Sequence, residues 1–568
     1  MMLNDIFKII SLENLSKFRN TILFSITNLV LDFLSILLLV PILVSVLNPK
    51  FQFNTINSSQ FSFIDQYKNY PLELLVGVVL FYFFKNLLTL KITKYQSEYY
   101  YGLSNLLSVN LLRDYFNKTL LEVKKEKNSA IIKDIVFVPN NFVVYVLSSV
   151  IQLISEALLL MLILLGAVFI NPMASLFLII ITSIIVLSLY FYDKKQLKNI
   201  NSKVSEKYNI TFNHLMNAVN GYVEIKINRS ENYFLQKFSS SNSELNKMHS
   251  ELTTNRLIKP KYTETALIII IASLFLLSQY VSKDYNINVL FMSFLFASSV
   301  KIIPSINRIL TSLTNLKTNI YTIDILKKSN LEKKENVNLA ERVFFEDKIE
   351  LKKIHFKYPD LQPILKSISL NIHKGEIIGV LGDSGNGKST LINIITTLID
   401  PDFGELFCDG KYINNANKAG FLELISYVPQ SSFILEGTIL ENLLLDGNPI
   451  ETEILNDFLE LFDLKATIDS LSKKLNTFIG SNGYALSGGQ LQRLALIRAL
   501  IRKPQLLLLD EALNQLDANL RNKIIGQLKI IAKTQNLTLI TISHNKKELE
   551  QFCDTIYELT NSELILTK

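Results

Sequence analysis

Cysteine is nearly absent from this chain of 568 residues: only Cys408 and Cys553 occur. Their placement fits neither a disulfide framework nor a thiolate metal site, and they read as ordinary residues of a reducing compartment. Histidine is also scarce, with five residues and no H-x-x-H or H-E-x-x-H pair, so spacing offers no zinc site. Charge is low as well. Asp, Glu, Lys and Arg make up 19% of the chain, against about 25% in ordinary soluble proteins. Neither an internal repeat nor a low-complexity tract is present.

What replaces charge is apolar sequence, 49% of the chain, and it is unevenly spread. Long uncharged runs fill the first 310 or so positions and then stop, so a membrane half precedes a soluble half. A spanning helix needs roughly 20 apolar residues. Six stretches are expected to span: 21–47, 72–94, 142–169, 173–193, 263–282 and 287–310. The first is too long for a signal-peptide core and lacks a small-residue cleavage site, so it is expected to stay as an anchor. Residues 3–18 have the pattern of an amphipathic helix lying along the inner surface. The segments 95–141 and 194–262 are long and rich in lysine, which assigns them and both termini to the cytoplasm. The net charge of +7 fits that distribution, and no nucleic-acid partner is expected. Residues 48–71 mix Phe51, Phe53, Phe61 and Phe63 with Asn and Ser, and are read as a short helix or hairpin on the outer leaflet.

The soluble half carries the chemistry. The apolar run Ile377-Ile378-Gly379-Val380-Leu381 leads into Gly382-Asp383-Ser384-Gly385-Asn386-Gly387-Lys388-Ser389-Thr390, and a helical pattern follows. A strand, a glycine-rich loop and a helix N-terminus converge backbone N–H groups on phosphate. Lys388 should reach the β and γ phosphates of ATP, and Ser389 should ligate Mg²⁺. Asp510 ends an all-leucine run, where its carboxylate can hold the metal, and Glu511 beside it fits the general base for an attacking water. His544 follows a second apolar run, 537–542.

Between phosphate loop and acidic pair lies Leu486-Ser487-Gly488-Gly489-Gln490, which resembles the signature of ABC ATPases. In that family it closes over the nucleotide held by a partner's phosphate loop. The resemblance implies that His544 is the γ-phosphate sensor. It makes Gln430 the Q-loop residue at metal and water, and Tyr358 the aromatic stacked on adenine. Two loops depart from the family pattern: Gly480-Ser481-Asn482-Gly483 before the signature and Asn514-Gln515-Leu516-Asp517 after the acidic pair. The expected fold is therefore a six-helix all-α transmembrane domain (1–312), a linker (313–346) and an α/β P-loop ATPase domain (347–568). The resemblance further implies a homodimeric exporter and coupling helices near 128–135 and 210–221.

Ionisable residues at membrane depth are costly and point to function. Asp32, Lys85, Glu156, Lys261, Lys301 and Arg308 fall there. The stretches Ile303-Pro304-Ser305-Ile306-Asn307-Arg308-Ile309 and Glu126-Lys127-Asn128-Ser129 resemble lipid-linked oligosaccharide flippases of the PglK type. That narrower resemblance implies a polyprenyl-diphosphate-linked glycan as cargo, with Lys85, Lys261 and Arg308 as cations for the diphosphate. An exporter of other lipids, drugs or peptides is the alternative on the same scaffold.

Overall fold

A computed structural model of the chain describes residues 2–10, 12–47, 71–176, 179–180, 183, 200–281, 285–328 and 341–568, apart from 360–361, 384, 446 and 481–482. The external segment 48–70, most of the fourth expected span, linker residues 329–340, Ser384, Ser481 and Asn482 lie outside the described residues. The chain divides into two compact units, one of Met1–Lys118 and Glu122–Lys334, the other of Thr119–Leu121 and Glu335–Lys568.

The first unit is helical. In chain order it holds α1 (Met2–Ile9), α2 (Leu12–Leu47), α3 (Pro71–Phe116), α4 (Leu120–Lys125), α5 (Asn128–Asn141) and α6 (Ser148–Ile170). Then come α7 (Ile200–Asn220), α8 (Tyr222–Ile227), α9 (Glu231–Val281), α10 (Tyr285–Asn319) and α11 (Tyr321–Lys328). Among the described residues four helical segments are long and apolar enough to cross a membrane: Asn14–Val46, Leu75–Phe116, Asn128–Ile170 and Ile287–Asn319. They correspond to expected spans one, two, three and six.

On α3 burial is turned inside out relative to a helix of a soluble bundle. Phe84 is 64% exposed while its neighbour Lys85 is 6% exposed. Apolar side chains face outward where lipid would solvate them, and polar ones turn toward neighbouring helices. The apolar core joins α2 (Ile36, Val40, Val44), α6 (Leu159, Ile163, Ala167) and α10 (Phe291, Phe294, Leu295). Gly166 permits the close approach of α6 and α10, since a methyl there would lie 2.9 Å from the Phe294 ring. Between α5 and α6 the helix widens into a π turn, Phe142–Leu147, just after Pro139. Phe142, Val143, Val146 and Leu147 are fully buried there. The N-terminus differs from the surface helix expected for 3–18. The chain breaks between α1 and α2, and Ile6, Ile9 and Ile10 are buried in a core shared with Ile323 and Leu326 of α11. Asp5 pairs with Lys327 at 2.8 Å. The apolar stripe is thus covered by protein rather than by lipid. Of the segments expected to couple, 128–135 lies within α5, and 210–221 covers the end of α7 and the residue before α8. The short helix near the second site is α8, just past 210–221, with Tyr222, Val223 and Ile227 exposed.

The second unit contains strands β1 (Lys348–Phe356), β2 (Leu365–His373), β3 (Ile377–Leu381), β4 (Phe403–Cys408), β5 (Lys411–Tyr412) and β6 (Ile425–Val428). They are followed by β7 (Gly437–Thr438), β8 (Phe478–Ile479), β9 (Leu506–Asp510), β10 (Thr538–Ser543), β11 (Thr555–Thr560) and β12 (Glu563–Leu566). An antiparallel sheet runs β2-β1-β4-β5, and a larger sheet runs β12-β11-β3-β10-β9-β6. In the larger sheet β11, β3, β10, β9 and β6 are parallel. Parallel strands must be covered on both faces, which calls for uninterrupted apolar sequence. The leucine run of β9 meets that need: Leu507 and Leu509 enter one core, Leu506 and Leu508 the other. Helices of this unit include α12 (Lys388–Ile395), α13 (Ile439–Leu443) and α14 (Gly488–Ile501). Cys408 and Cys553 are free and buried, and burial pushes each thiol up to about 12. They act as small apolar side chains.

Candidate active site

Parallel strands align their C-terminal ends along one edge, where ligands of open α/β sheets bind. Here that edge collects the expected residues. The phosphate loop follows β3, His544 follows β10, Asp510 ends β9 and Gln430 comes just after β6, in strands adjacent in that order. Pairing of Ile542 with Val380 and with Asp510 fixes the relative heights of three of these termini.

The phosphate loop closes onto α12 through Gly387, whose φ is 97°. A side chain there would be strained, and its Cβ would lie 2.5 Å from Ile364 Cγ2. Asn386 donates its side-chain amide to the Leu559 carbonyl of β11 at 3.2 Å, anchoring the loop to the next strand. Lys388 is buried, bonded to the Gly382 carbonyl, with its Nζ 3.5 Å from Glu511 Oε1. Tyr358 packs edge-on against Phe356, and its hydroxyl lies 3.2 Å from Thr390 Oγ1, beside the start of α12.

The two carboxylates have different settings. Asp510 accepts from the Ser389 hydroxyl at 3.3 Å and from the Tyr427 hydroxyl at 3.1 Å. Burial pushes its carboxyl above the ordinary range, although both hydrogen bonds oppose the shift. Burial likewise pushes the Tyr427 hydroxyl up, so it stays a donor. Glu511 accepts from the side-chain amides of Gln430 at 3.0 Å and Asn514 at 3.1 Å, both on Oε2. Its φ of 49° is left-handed, a conformation that costs free energy for a non-glycine residue and clusters at functional sites. A hydrogen bond from Glu511 N–H to the Ile542 carbonyl at 3.1 Å helps hold it. His544 is exposed at the same edge. Ser389, Asp510 and Gln430 bring hydroxyl, carboxylate and amide oxygens into one small region. That hard donor set suits Mg²⁺.

The signature residues start α14. Ser487 caps it reciprocally: its hydroxyl accepts from Gln490 N–H at 3.3 Å, and Gln490 Oε1 accepts from Ser487 N–H at 2.8 Å. A Cβ on Gly488 would lie 2.5 Å from Gln515 Oε1, so the loop after Glu511 packs directly on the signature. Arg521 holds that loop by donating to the carbonyls of Leu513 at 3.2 Å and Leu516 at 2.9 Å. From the same α14, Arg498 donates to the Phe433 carbonyl at 2.9 Å, bracing the segment after Gln430. Tyr427 and Asn514 stand outside the expected site residues. The structure puts each of them on a carboxylate.

In the helical unit each of the expected cations has a carboxylate partner. Lys85 and Lys301 share Asp32, Lys301 at 2.7 Å. Arg308 Nε is 2.7 Å from Glu156 Oε1. Lys261 is 79% exposed on α9, beside Glu264 at 3.4 Å. Asp32 and Glu156 are therefore counter-ions in the first instance, and they join α2, α3, α6 and α10.

Residues 365–514 match the ABC transporter family, which accounts for an ATP-binding site at this edge. A putative export ATP-binding/permease protein of Rickettsia bellii is 36% identical over 204 residues, 36% of this chain and 35% of that protein. The ABC multidrug transporter atrD of Emericella nidulans is 34% identical over 229 residues, 39% of this chain and 16% of that one. The chain thus spans about a third or less of the curated relatives it matches. Among solved structures, a bacterial Atm1-family ABC exporter with ATP bound superposes with a TM-score of 0.82. The alignment covers 96% of this chain and 94% of that one at 16% identity. The fold is that of an ABC exporter. An ABC exporter fold explains the chain's order, helical membrane unit first and nucleotide-binding α/β unit second. Within it, Asn514 and Gln515 stand in ordered contact with the acidic pair and the signature, while Ser481 and Asn482 lie outside the described residues.

Proposed function

We propose that the chain is an ATP-hydrolysing exporter of the inner membrane, working as a homodimer with both termini and the ATPase domain in the cytoplasm. The observation that carries this reading is the single strand edge bearing the phosphate loop, Gln430, Asp510-Glu511 and His544, in a unit that also presents a capped signature helix. Tyr358 stacks on adenine. The backbone N–H groups of Gly382, Asp383, Ser384, Gly385, Asn386 and Gly387, with the start of α12 and the Thr390 hydroxyl, take the phosphates. Lys388 exchanges the Gly382 carbonyl for phosphate oxygens. Ser389, Asp510 and Gln430 would hold Mg²⁺, which would supply charge neutralisation at the phosphates. Glu511, oriented by Gln430 and Asn514, receives the proton of the attacking water. His544 contacts the γ-phosphate, and Ser487, Gly488, Gly489 and Gln490 of the second copy close the site from the other side.

The proposed cargo is a lipid-linked oligosaccharide or polysaccharide precursor, moved from the inner to the outer leaflet. Its support is the resemblance at residues 303–309 and 126–129, together with polar groups gathered inside a unit whose outside is apolar. Similarity to multidrug transporters, over 39% of this chain, keeps other lipids, drugs and peptides as the alternative. The test is ATPase stimulation of the purified protein in lipid. Polyprenyl-diphosphate glycans are expected to stimulate turnover more than drugs or peptides do, and no response to them would sink the glycolipid reading.

A further inference from the structure

We propose that a polar cavity within the helical unit receives a sugar ring of the cargo, not its diphosphate. This rests on the glycolipid reading above and names which part of the molecule is recognised there. The cavity, about 290 Å³, lies between α2, α3, α6 and α10. Polar residues reach it at regular helical spacing: Ser25, Asn28 and Asp32 on α2, Gln96 and Tyr100 on α3, and Gln152, Ser155 and Glu156 on α6, with Arg308 from α10. Its size is at the bottom of the range for small-molecule pockets, roughly 300–1,000 Å³, and suits one ring rather than a drug-sized molecule.

The charges decide the ligand class. Asp32 already holds two lysines, and Arg308 is paired with Glu156. A diphosphate would have to displace two carboxylates from their cations and sit beside them, whereas a neutral polyhydroxylated group need displace none. What remains for a ligand is a set of amide and hydroxyl groups and one carboxylate oxygen. Asn28 uses its oxygen to accept from Thr89 at 2.8 Å, and Gln152 uses its oxygen to accept from Ser312 at 3.0 Å, so each turns its NH₂ elsewhere. Gln96 does the reverse, donating to Ser25 at 2.9 Å. Glu156 is 9% exposed, and its Oε2 has no hydrogen-bond partner. Its contact with Arg308 is an ion pair rather than an aligned hydrogen bond. A buried carboxylate oxygen without a donor costs free energy, and a sugar hydroxyl supplies that donor while its own oxygen accepts from an amide.

Position agrees with chemistry. In the expected spans the lining residues fall in the first half of 21–47, in the first two-thirds of 142–169, just past the end of 72–94 and at the end of 287–310. That is one end of the bundle, the end joined to the lysine-rich segments assigned to the cytoplasm. A headgroup arriving with an inner-leaflet lipid meets this cavity first.

The experiment uses the full-length dimer in lipid and three probes: a polyprenyl-diphosphate disaccharide, sugar-free polyprenyl diphosphate, and a phosphate-free isoprenyl glycoside. Half-maximal ATPase stimulation is measured for the parent, Asn28→Ala, Gln152→Ala and the shorter amide Gln152→Asn, each first checked by thermal melting. The expected result is a three- to tenfold rise in the half-stimulating concentration of both sugar-bearing probes for each alanine variant, a smaller rise for Gln152→Asn, and no change for the sugar-free lipid. An equal shift for the sugar-free lipid would place the diphosphate in the cavity and overturn the proposal. Unshifted stimulation by the disaccharide lipid would overturn it too, leaving the glycolipid reading intact. Absence of stimulation by all three probes would remove both.

Discussion

The two units place their polar residues by opposite means. In the ATPase unit, site residues sit in short segments after strands, and neighbours in sequence remain neighbours in the site: Asp510 and Glu511, or Lys388 and Ser389. In the helical unit, polar partners come from distant helices, as with Lys301 and Asp32, 269 positions apart. Local placement makes a site readable and hard to substitute. Distributed placement hides it in the sequence and lets several residues share the task.

The largest effect should come where placement is local. Glu511→Gln keeps shape and hydrogen bonding but cannot take a proton, so ATP turnover should fall by about 10²–10⁴ while ATP still binds, as read by hydrolysis and nucleotide-binding assays. Normal turnover would mean that another group serves as base. Next is the shared carboxylate of the helical unit. Asp32→Asn leaves buried Lys85 and half-buried Lys301 facing each other, and breaking a fully buried pair costs about 3–5 kcal/mol, which is the upper bound here. Thermal melting in lipid should drop accordingly. Changing both lysines to methionine in the same chain should restore most of the loss, and failure to do so would show that Asp32 has a role beyond charge balance.

Helix caps sharpen the contrast further. Thr438 caps α13 with the same reciprocal pattern that Ser487 makes on α14. Thr438→Ala and Ser487→Ala should each cost about 0.5–2 kcal/mol of stability, but only the second should also lower ATP turnover strongly. The smallest effect is expected from Gln515→Ala. That loop is held by Arg521 and by packing on Gly488, so melting should move within about 0.5 kcal/mol, with turnover altered by less than about threefold at the same level of precision. A complete loss of turnover would show that Gln515 is part of the chemistry.

The ATP site was legible because its parts are short and ordered by strands. An apolar run, a glycine-rich loop and a helical pattern leave little freedom for where Lys388 and Ser389 end up. Tyr427 and Asn514 were not readable as carboxylate partners. Strand pairing of β6 with β9 brings Tyr427 to Asp510, and the turn after Glu511 folds Asn514 back; neither pairing is visible from a single stretch of sequence. For the helices, composition located spans one, two, three and six, because length and apolarity are local properties. It did not show that Ile6, Ile9 and Ile10 pack on α11, since an apolar stripe looks the same whether lipid or protein covers it. Nor did it show that Lys85 would be neutralised by Asp32, because helix packing makes that pairing.

The π turn at 142–147 has a consequence of its own. It amounts to one residue accommodated inside a helix that would otherwise run straight through. Every side chain after it is rotated by about 100° relative to an uninterrupted α-helix. Ser148, Gln152, Ser155 and Glu156 all lie downstream, so the face they present depends on that single added position. A chain shortened by Val144 would keep its composition and its span length, and would turn Gln152 and Glu156 away from Asn28 and Arg308.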